Sequence, residues 1–153
     1  MHEPEPLFTI RRILLALVLL GIIGLLVELL LLEHTESATQ LIPFAVLGVG
    51  LVSGTALAIR PTVRTIRIFQ VVMLLFIATG LLGLVLHLRG NLEFERETDP
   101  TARGLSFIWQ SLHGGIPLLA PAAMAQIGLL GLVFAFRHPS LRTHAATTTA
   151  QET

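Results

Sequence analysis

Histidine and glutamate side chains are the residues of this sequence that could bind a cation. Imidazole nitrogens and carboxylate oxygens together suit zinc, manganese or iron. Their spacing is loose, because the sequence contains no cysteine, no His-x-x-x-His and no Glu-x-x-His. Two interpretations stay open, a divalent metal site or ordinary solvated charge. The candidate ligands are Glu28, His34, Glu36, His87, Glu93, Glu95 and His113.

Glu28 is the most informative of these residues, since it interrupts an apolar run from Ile13 to Leu32. An ionisable group inside an apolar helix indicates a functional role by default, because placing a charge in lipid costs free energy. The alternative is that Glu28 lies close enough to the helix end to reach water, or is protonated. We expect Glu28 and His87 to pair directly or to share one cation. Haem is disfavoured as a cofactor, because only His87 among the histidines lies inside an apolar stretch.

Catalysis has little support in the sequence. Ser37, Ser53, Ser106 and Ser111 lack the glycine-rich turn of a nucleophilic serine, and no glycine-rich phosphate loop is present. We therefore expect that the protein is not an enzyme. Ten acidic residues balance ten basic ones, so no net charge favours binding to nucleic acid.

The elements that hold these side chains are four apolar stretches. The 153-residue chain is 53% hydrophobic and 13% charged, whereas a soluble domain carries about a quarter charged residues. A helix of about 20 apolar residues crosses the roughly 30 Å hydrocarbon core of a membrane. The sequence predicts an all-α integral membrane protein, a four-transmembrane-helix bundle in one domain over 1–137. Its spans are expected at 13–32, 41–59, 68–88 and 116–136, and a disordered cytoplasmic tail at 138–153.

The two halves of the sequence resemble each other. A Gly-x-x-Gly motif at 21–24 recurs at 80–83, and the same offset carries Glu28 onto His87. A tandem repeat of two helical hairpins would produce this pattern, and so would chance similarity between leucine-rich helices. Small residues and amides favour contacts between helices in lipid. Helix packing is therefore predicted at Gly50, Gly54, Gly80, Gly83, Gly128 and Gly131, and an interhelical hydrogen bond at Gln126.

The arginines indicate how the spans are oriented. Three of them lie in the long connection between the third and fourth spans, and the other seven lie on the opposite side: Arg11, Arg12, Arg60, Arg64, Arg67, Arg137 and Arg142. The positive-inside rule places the side with seven in the cytoplasm, together with both termini. Within the long outer connection, residues 91–100 are expected to form a charged, solvated loop. Residues 101–113 carry apolar residues at helical spacing, which predicts a short helix at the outer membrane interface.

These features together predict a small multi-pass protein without a catalytic site. Arginine is the only basic residue besides histidine, which hints at a GC-rich bacterial genome, so we expect the cytoplasmic membrane of a bacterium. The expected partners are the lipid bilayer and other membrane subunits, either copies of the same chain or a complex in which it is accessory. The alternative function is binding or transport of a cation, a divalent metal or a proton, at the acidic and histidine residues of the outer face.

Overall fold

The computed structural model describes residues 5–141, which form an all-helical chain with no strand in that range. Its helices are α1 (Glu5–Leu31), α2 (Ala38–Ile59), α3 (Val63–Thr98), α4 (Gly104–Leu112) and α5 (Leu119–Ala135). Of these, α1, α2 and α3 are long and apolar enough to cross a membrane, whereas α5 is apolar but has only 17 residues. The prediction of an all-α chain with membrane-compatible helices is confirmed.

Local sequence signals set where α2 and α3 begin. The Ser37 hydroxyl accepts a hydrogen bond from the Gln40 backbone N–H (3.4 Å), and the Gln40 side chain accepts one from the Ser37 N–H (3.0 Å). Thr62 and Thr65 form the same reciprocal pair before α3. Such capping boxes satisfy backbone donors that the first turn of a helix leaves open.

The four longer helices surround one apolar core. α1 packs against α2 and α5, and α3 packs against the same two helices. Within residues 5–141, α1 and α3 therefore stand at opposite corners of the bundle and do not pack on each other. Each of the four helices contributes buried side chains to the core, among them Val18, Ile22, Leu47, Phe69, Phe76 and Met124. Many large apolar side chains also face outward, which suits a lipid surrounding as apolar as the side chains themselves.

α3 is longer than the sequence indicates. The predicted span ends at Leu88, but the helix continues to Thr98, so the prediction of a solvated loop over 91–100 is wrong for most of that segment. The residues beyond Leu88 include leucine, glutamate and arginine, which have high helix propensity. Ten further residues extend the helix by about 15 Å at 1.5 Å per residue, so the end of α3 projects beyond the predicted span.

α4 follows a turn and runs back along this extension of α3. The Arg96 guanidinium of α3 lies 5.6 Å from the centre of the Phe107 ring of α4. The helix lies within the predicted range of 101–113, and its apolar residues Leu105, Ile108 and Trp109 are exposed rather than turned toward α3.

The ends of the predicted fourth span differ from those of α5. The predicted span begins at Ile116, but α5 begins at Leu119, and Pro121 takes its third position, where the missing N–H removes no intrahelical bond. At the other end, Leu141 packs against the core, although it belongs to the segment predicted as a disordered tail. Residues 138–140 of that predicted tail are also described, and residues 142–153 lie outside the described residues.

Candidate functional site

Two histidines meet at one end of the bundle. This end carries α4, the α1–α2 turn and the start of α5, and we call it the α4 end. The rings of His34 and His87 are edge to face, with centroids 6.3 Å apart. His87 Nδ1 lies 2.7 Å from the carbonyl oxygen of Pro117. Because a carbonyl oxygen only accepts, Nδ1 must carry the proton and donate it, which leaves Nε2 of the neutral ring as an acceptor. His87 thus links α3 to the segment before α5 and faces the α1–α2 turn.

The backbone after α1 positions His34. The His34 N–H donates to Leu29 O and the Glu33 N–H donates to Leu30 O, each at 3.1 Å. Glu33 has a φ of 51°, in the left-handed region. These features form a Schellman motif, in which a left-handed residue ends the helix and satisfies its last carbonyls. Glycine is the usual residue at that position, so the sequence carries little signal for this turn.

The environment of His34 favours its neutral form. Partial burial lowers the pKa of His34 first, and the nearby His87 lowers it further by charge repulsion. A lowered pKa means that the folded state opposes protonation. The stability that His34 contributes is therefore present above the ordinary histidine pKa of about 6.5 and is lost as the pH falls through its lowered value.

The other candidate ligands are dispersed. Glu28 and Glu36 are exposed, and Glu93 is exposed on the extension of α3. The Glu28 side chain has no hydrogen bond or ion pair among the described residues, so no direct pairing with His87 forms there. Glu95 is half-buried on the same extension. Within residues 5–141, no group of three or more histidine, aspartate or glutamate side chains is close enough to hold a metal ion.

His113 belongs to α4 rather than to the pair of histidines. Its Nδ1 lies 3.0 Å from Trp109 O, one turn earlier in the helix, and its ring lies against the Trp109 ring with centroids 4.3 Å apart. The structure therefore brings together two of the seven candidate ligands, His34 and His87, and leaves the remaining five apart from them. Two imidazoles can bind and release protons in this arrangement.

The glycines predicted to pack helices lie where helices approach each other. A Cβ atom at Gly80 would lie 2.6 Å from both Ala125 N and Pro121 O, and one at Gly128 would lie 2.7 Å from Met73 O. Backbone atoms cannot move aside as a flexible side chain can, so α3 and α5 approach more closely here than any residue with a Cβ allows. A Cβ at Gly50, Gly54, Gly83 or Gly131 would instead meet side chains of a neighbouring helix, which can move aside more readily than backbone.

Gln126 forms no interhelical hydrogen bond within the described residues. Its side chain is exposed. The buried positions of α5 around it are Met124, Ala125, Ile127 and Gly128. At 100° per residue, position 126 is turned about 200° from position 124. The face of α5 that contains Gly128 packs inward, so the Gln126 side chain on the opposite face points outward.

Two polar contacts that hold the bundle ends together were not predicted. Asn91 is buried, and its side-chain amide donates to Ile116 O and accepts from the Ile116 N–H, each at 3.0 Å. At the opposite end, the Arg11 guanidinium donates to the carbonyl oxygens of Phe134 and Phe136. A cation at these last carbonyls stabilises the end of α5. An asparagine inside a run of helix formers is the one sequence signal that could have revealed the first contact.

The candidate site is thus a two-histidine contact at one end of an apolar bundle, together with an outward-facing amide in the middle of α5. No protein-family model, curated protein or solved structure matches this chain. Its function must therefore be inferred from its own residues.

Proposed function

We propose that this chain is a four-span membrane protein with cytoplasmic termini that acts through helix packing, as an oligomer-forming or accessory subunit rather than as an enzyme. α5 supports a fourth span, because its 17 residues extend about 25 Å and it packs along both α1 and α3. The excess of arginines at the opposite end supports an outward-facing α4 end. The exposed apolar face of α4 then suits the outer membrane interface.

The observation that best supports this proposal is the exposed side chain of Gln126. Its side chain is exposed in the middle of an apolar helix and has no hydrogen bond among residues 5–141. Transfer of an amide from water to hydrocarbon without hydrogen bonds costs about 4–8 kcal/mol. Such a group on the lipid-facing surface therefore favours a second chain that covers it and pairs with it.

The particle mass in a lipid environment tests the proposal. We expect the full chain, reconstituted in nanodiscs after mild extraction, to have a protein mass of two or more times 16.6 kDa, or a mass that includes a stoichiometric second membrane protein. Light scattering with refractive-index detection measures the mass. A protein mass of one chain at every protein-to-lipid ratio, with no second protein retained, would contradict the proposal.

Proton binding at the α4 end is a second candidate function, favoured by the contact between His34 and His87. A proton is a better candidate than a metal ion, because the described residues hold no group of three ligands. Proteoliposomes with an internal pH dye test this function against the variant His87→Gln, which retains a donor for Pro117 O. Proton flux above that of empty vesicles, reduced by the substitution, would support it. Flux equal to that of empty vesicles would exclude transport.

A further inference from the structure

The outward face of α5 has a regular pattern, which we call the α5 stripe. Its residues are spaced alternately three and four apart: Leu119, Ala122, Gln126, Leu129 and Val133. Leu119, Leu129 and Val133 are 82%, 56% and 59% exposed, Gln126 is exposed and Ala122 is half-buried. Alternation of three and four residues keeps one seam of a helix facing a single partner helix along its whole length. The only polar side chain of the stripe is Gln126, at its centre.

The chemistry of Gln126 restricts what can cover the stripe. A glutamine amide has two donor hydrogens and an acceptor oxygen, and none of these is bonded within the described part of the chain. Lipid tails offer neither donors nor acceptors. Leucine and valine on either side require an apolar partner surface, while position 126 requires a partner that both donates and accepts at the same depth.

We infer that a second copy of this chain packs on the α5 stripe, with the two Gln126 amides hydrogen-bonded to each other. The inference rests on the proposed function and names its partner. Copies inserted in the same orientation can form a closed pair only about a two-fold axis along the membrane normal. The two α5 helices are then parallel, so identical residues face each other at identical depth. The amide is complementary to itself, since the N–H of one copy donates to the oxygen of the other.

Cysteine cross-linking locates the interface directly, because the chain contains no cysteine of its own. Leu129→Cys places a thiol on the stripe one turn from Gln126. Val52→Cys is the matched control, since Val52 is 71% exposed on α2 at a similar distance from the centre of its helix. On oxidation in native membranes, we expect a disulfide-linked dimer from Leu129→Cys and none from Val52→Cys.

Substitution of Gln126 tests the hydrogen bond itself. Gln126→Leu should weaken dimerisation in proteoliposomes about 5- to 30-fold, as expected for one interhelical polar contact, while Gln126→Asn should retain most of it. Neither substitution should change the unfolding of the single chain, because the side chain has no hydrogen bond within the bundle. Energy transfer between labelled chains at increasing lipid dilution measures the dissociation constant.

The outcomes separate this interface from the proposed function. A dimer that cross-links through Val52→Cys and not through Leu129→Cys, or whose dissociation constant is the same in Gln126→Leu, overturns the α5 interface but leaves an oligomer-forming protein. A complex with a different membrane protein of equal stoichiometry also overturns the second copy as partner. A single-chain particle without cross-links at either position overturns both.

Discussion

The two halves of this chain share a Gly-x-x-Gly motif, yet the motif has different surroundings in each half. In α3, a Cβ at Gly80 would meet backbone atoms of α5 at 2.6 Å. In α1, a Cβ at Gly24 would meet nothing within 4 Å, and one at Gly21 would meet the Ile127 side chain, with Cδ1 at 2.8 Å and Cγ1 at 3.1 Å. The same spacing of small residues therefore lies against the backbone of a neighbouring helix in one half, and against one side chain and open space in the other.

The polar residues differ between the halves in the same way. Glu28 and His87 correspond at the offset of the motif, but Glu28 is exposed whereas His87 is half-buried and bonded to Pro117 O. The connection from α1 to α2 covers six residues, 32–37, while that from α3 to α5 contains α4. The second half has a helix folded back at its end, and its polar groups are used to hold that connection in place.

The largest expected difference between the halves concerns the glycines. Gly80→Ala should lower the free energy of unfolding by about 3 kcal/mol, because its Cβ would overlap backbone atoms of Ala125 and Pro121. Gly24→Ala should cause no loss, since its Cβ enters open space. Denaturation in mixed detergent micelles, followed by circular dichroism, compares the two variants. An equal loss of unfolding free energy in Gly80→Ala and Gly24→Ala would mean that the two halves pack alike.

A smaller difference is expected where the connections join the helices. Asn91→Ala should lower the free energy of unfolding by about 1–3 kcal/mol, because it empties a buried position and removes two partly buried hydrogen bonds to the Ile116 backbone. Leu32→Ala is the matched control at the corresponding position of the first half. Leu32 is exposed, so Leu32→Ala should change the free energy of unfolding by no more than about 0.5 kcal/mol. The same denaturation measurement applies, and a tolerated Asn91→Ala would show that the connection does not depend on this amide.

A double-mutant cycle tests whether Glu28 and His87 interact across the halves. The structure predicts that the effects of Glu28→Gln and His87→Gln on unfolding add to within about 0.5 kcal/mol, as for separated sites, because no ion pair joins them among the described residues. A coupling well above this limit would restore the pair expected from the repeat, and would require the bundle to close differently in the membrane.

The smallest expected effect is on the titration of His34. His87→Gln removes the neighbouring charge that lowers the pKa of His34, so this pKa should rise toward its ordinary value while remaining lowered by burial. The loss of stability on acidification should then be complete at a higher pH and be smaller in extent, because the folded-state pKa lies closer to that of the unfolded state. NMR titration of the imidazole signals measures the pKa. His113→Gln, which removes a ring in contact with Trp109, is the control and should leave His34 unchanged.

Much of the helical architecture could be predicted from local patterns. Long apolar runs form helices because lipid leaves the backbone no other hydrogen-bond partners, and the capping signals at Ser37 and Thr62 locate two of the starts. The extension of α3 to Thr98 does not follow from the apolar pattern, because the charged residues near Glu95 indicate a solvated loop by polarity although their helix propensity is high. The candidate site was predicted only in part, since His34 reaches His87 through a turn made by a left-handed Glu33.

By itself, the sequence determined that this protein is all-helical and suited to a membrane, because apolar length and backbone hydrogen bonding are properties of single segments. The tertiary structure alone decided which face of each helix is inward. α5 is apolar on nearly every side, so its sequence contains no polar face that orients it, and the sequence predicts only an interhelical hydrogen bond at Gln126. The close approach of Gly128 to Met73 O turns the glycine face inward and the amide outward. In lipid, helices are oriented by steric fit and not by hydrophobic burial, and that fit depends on residues far apart in the chain.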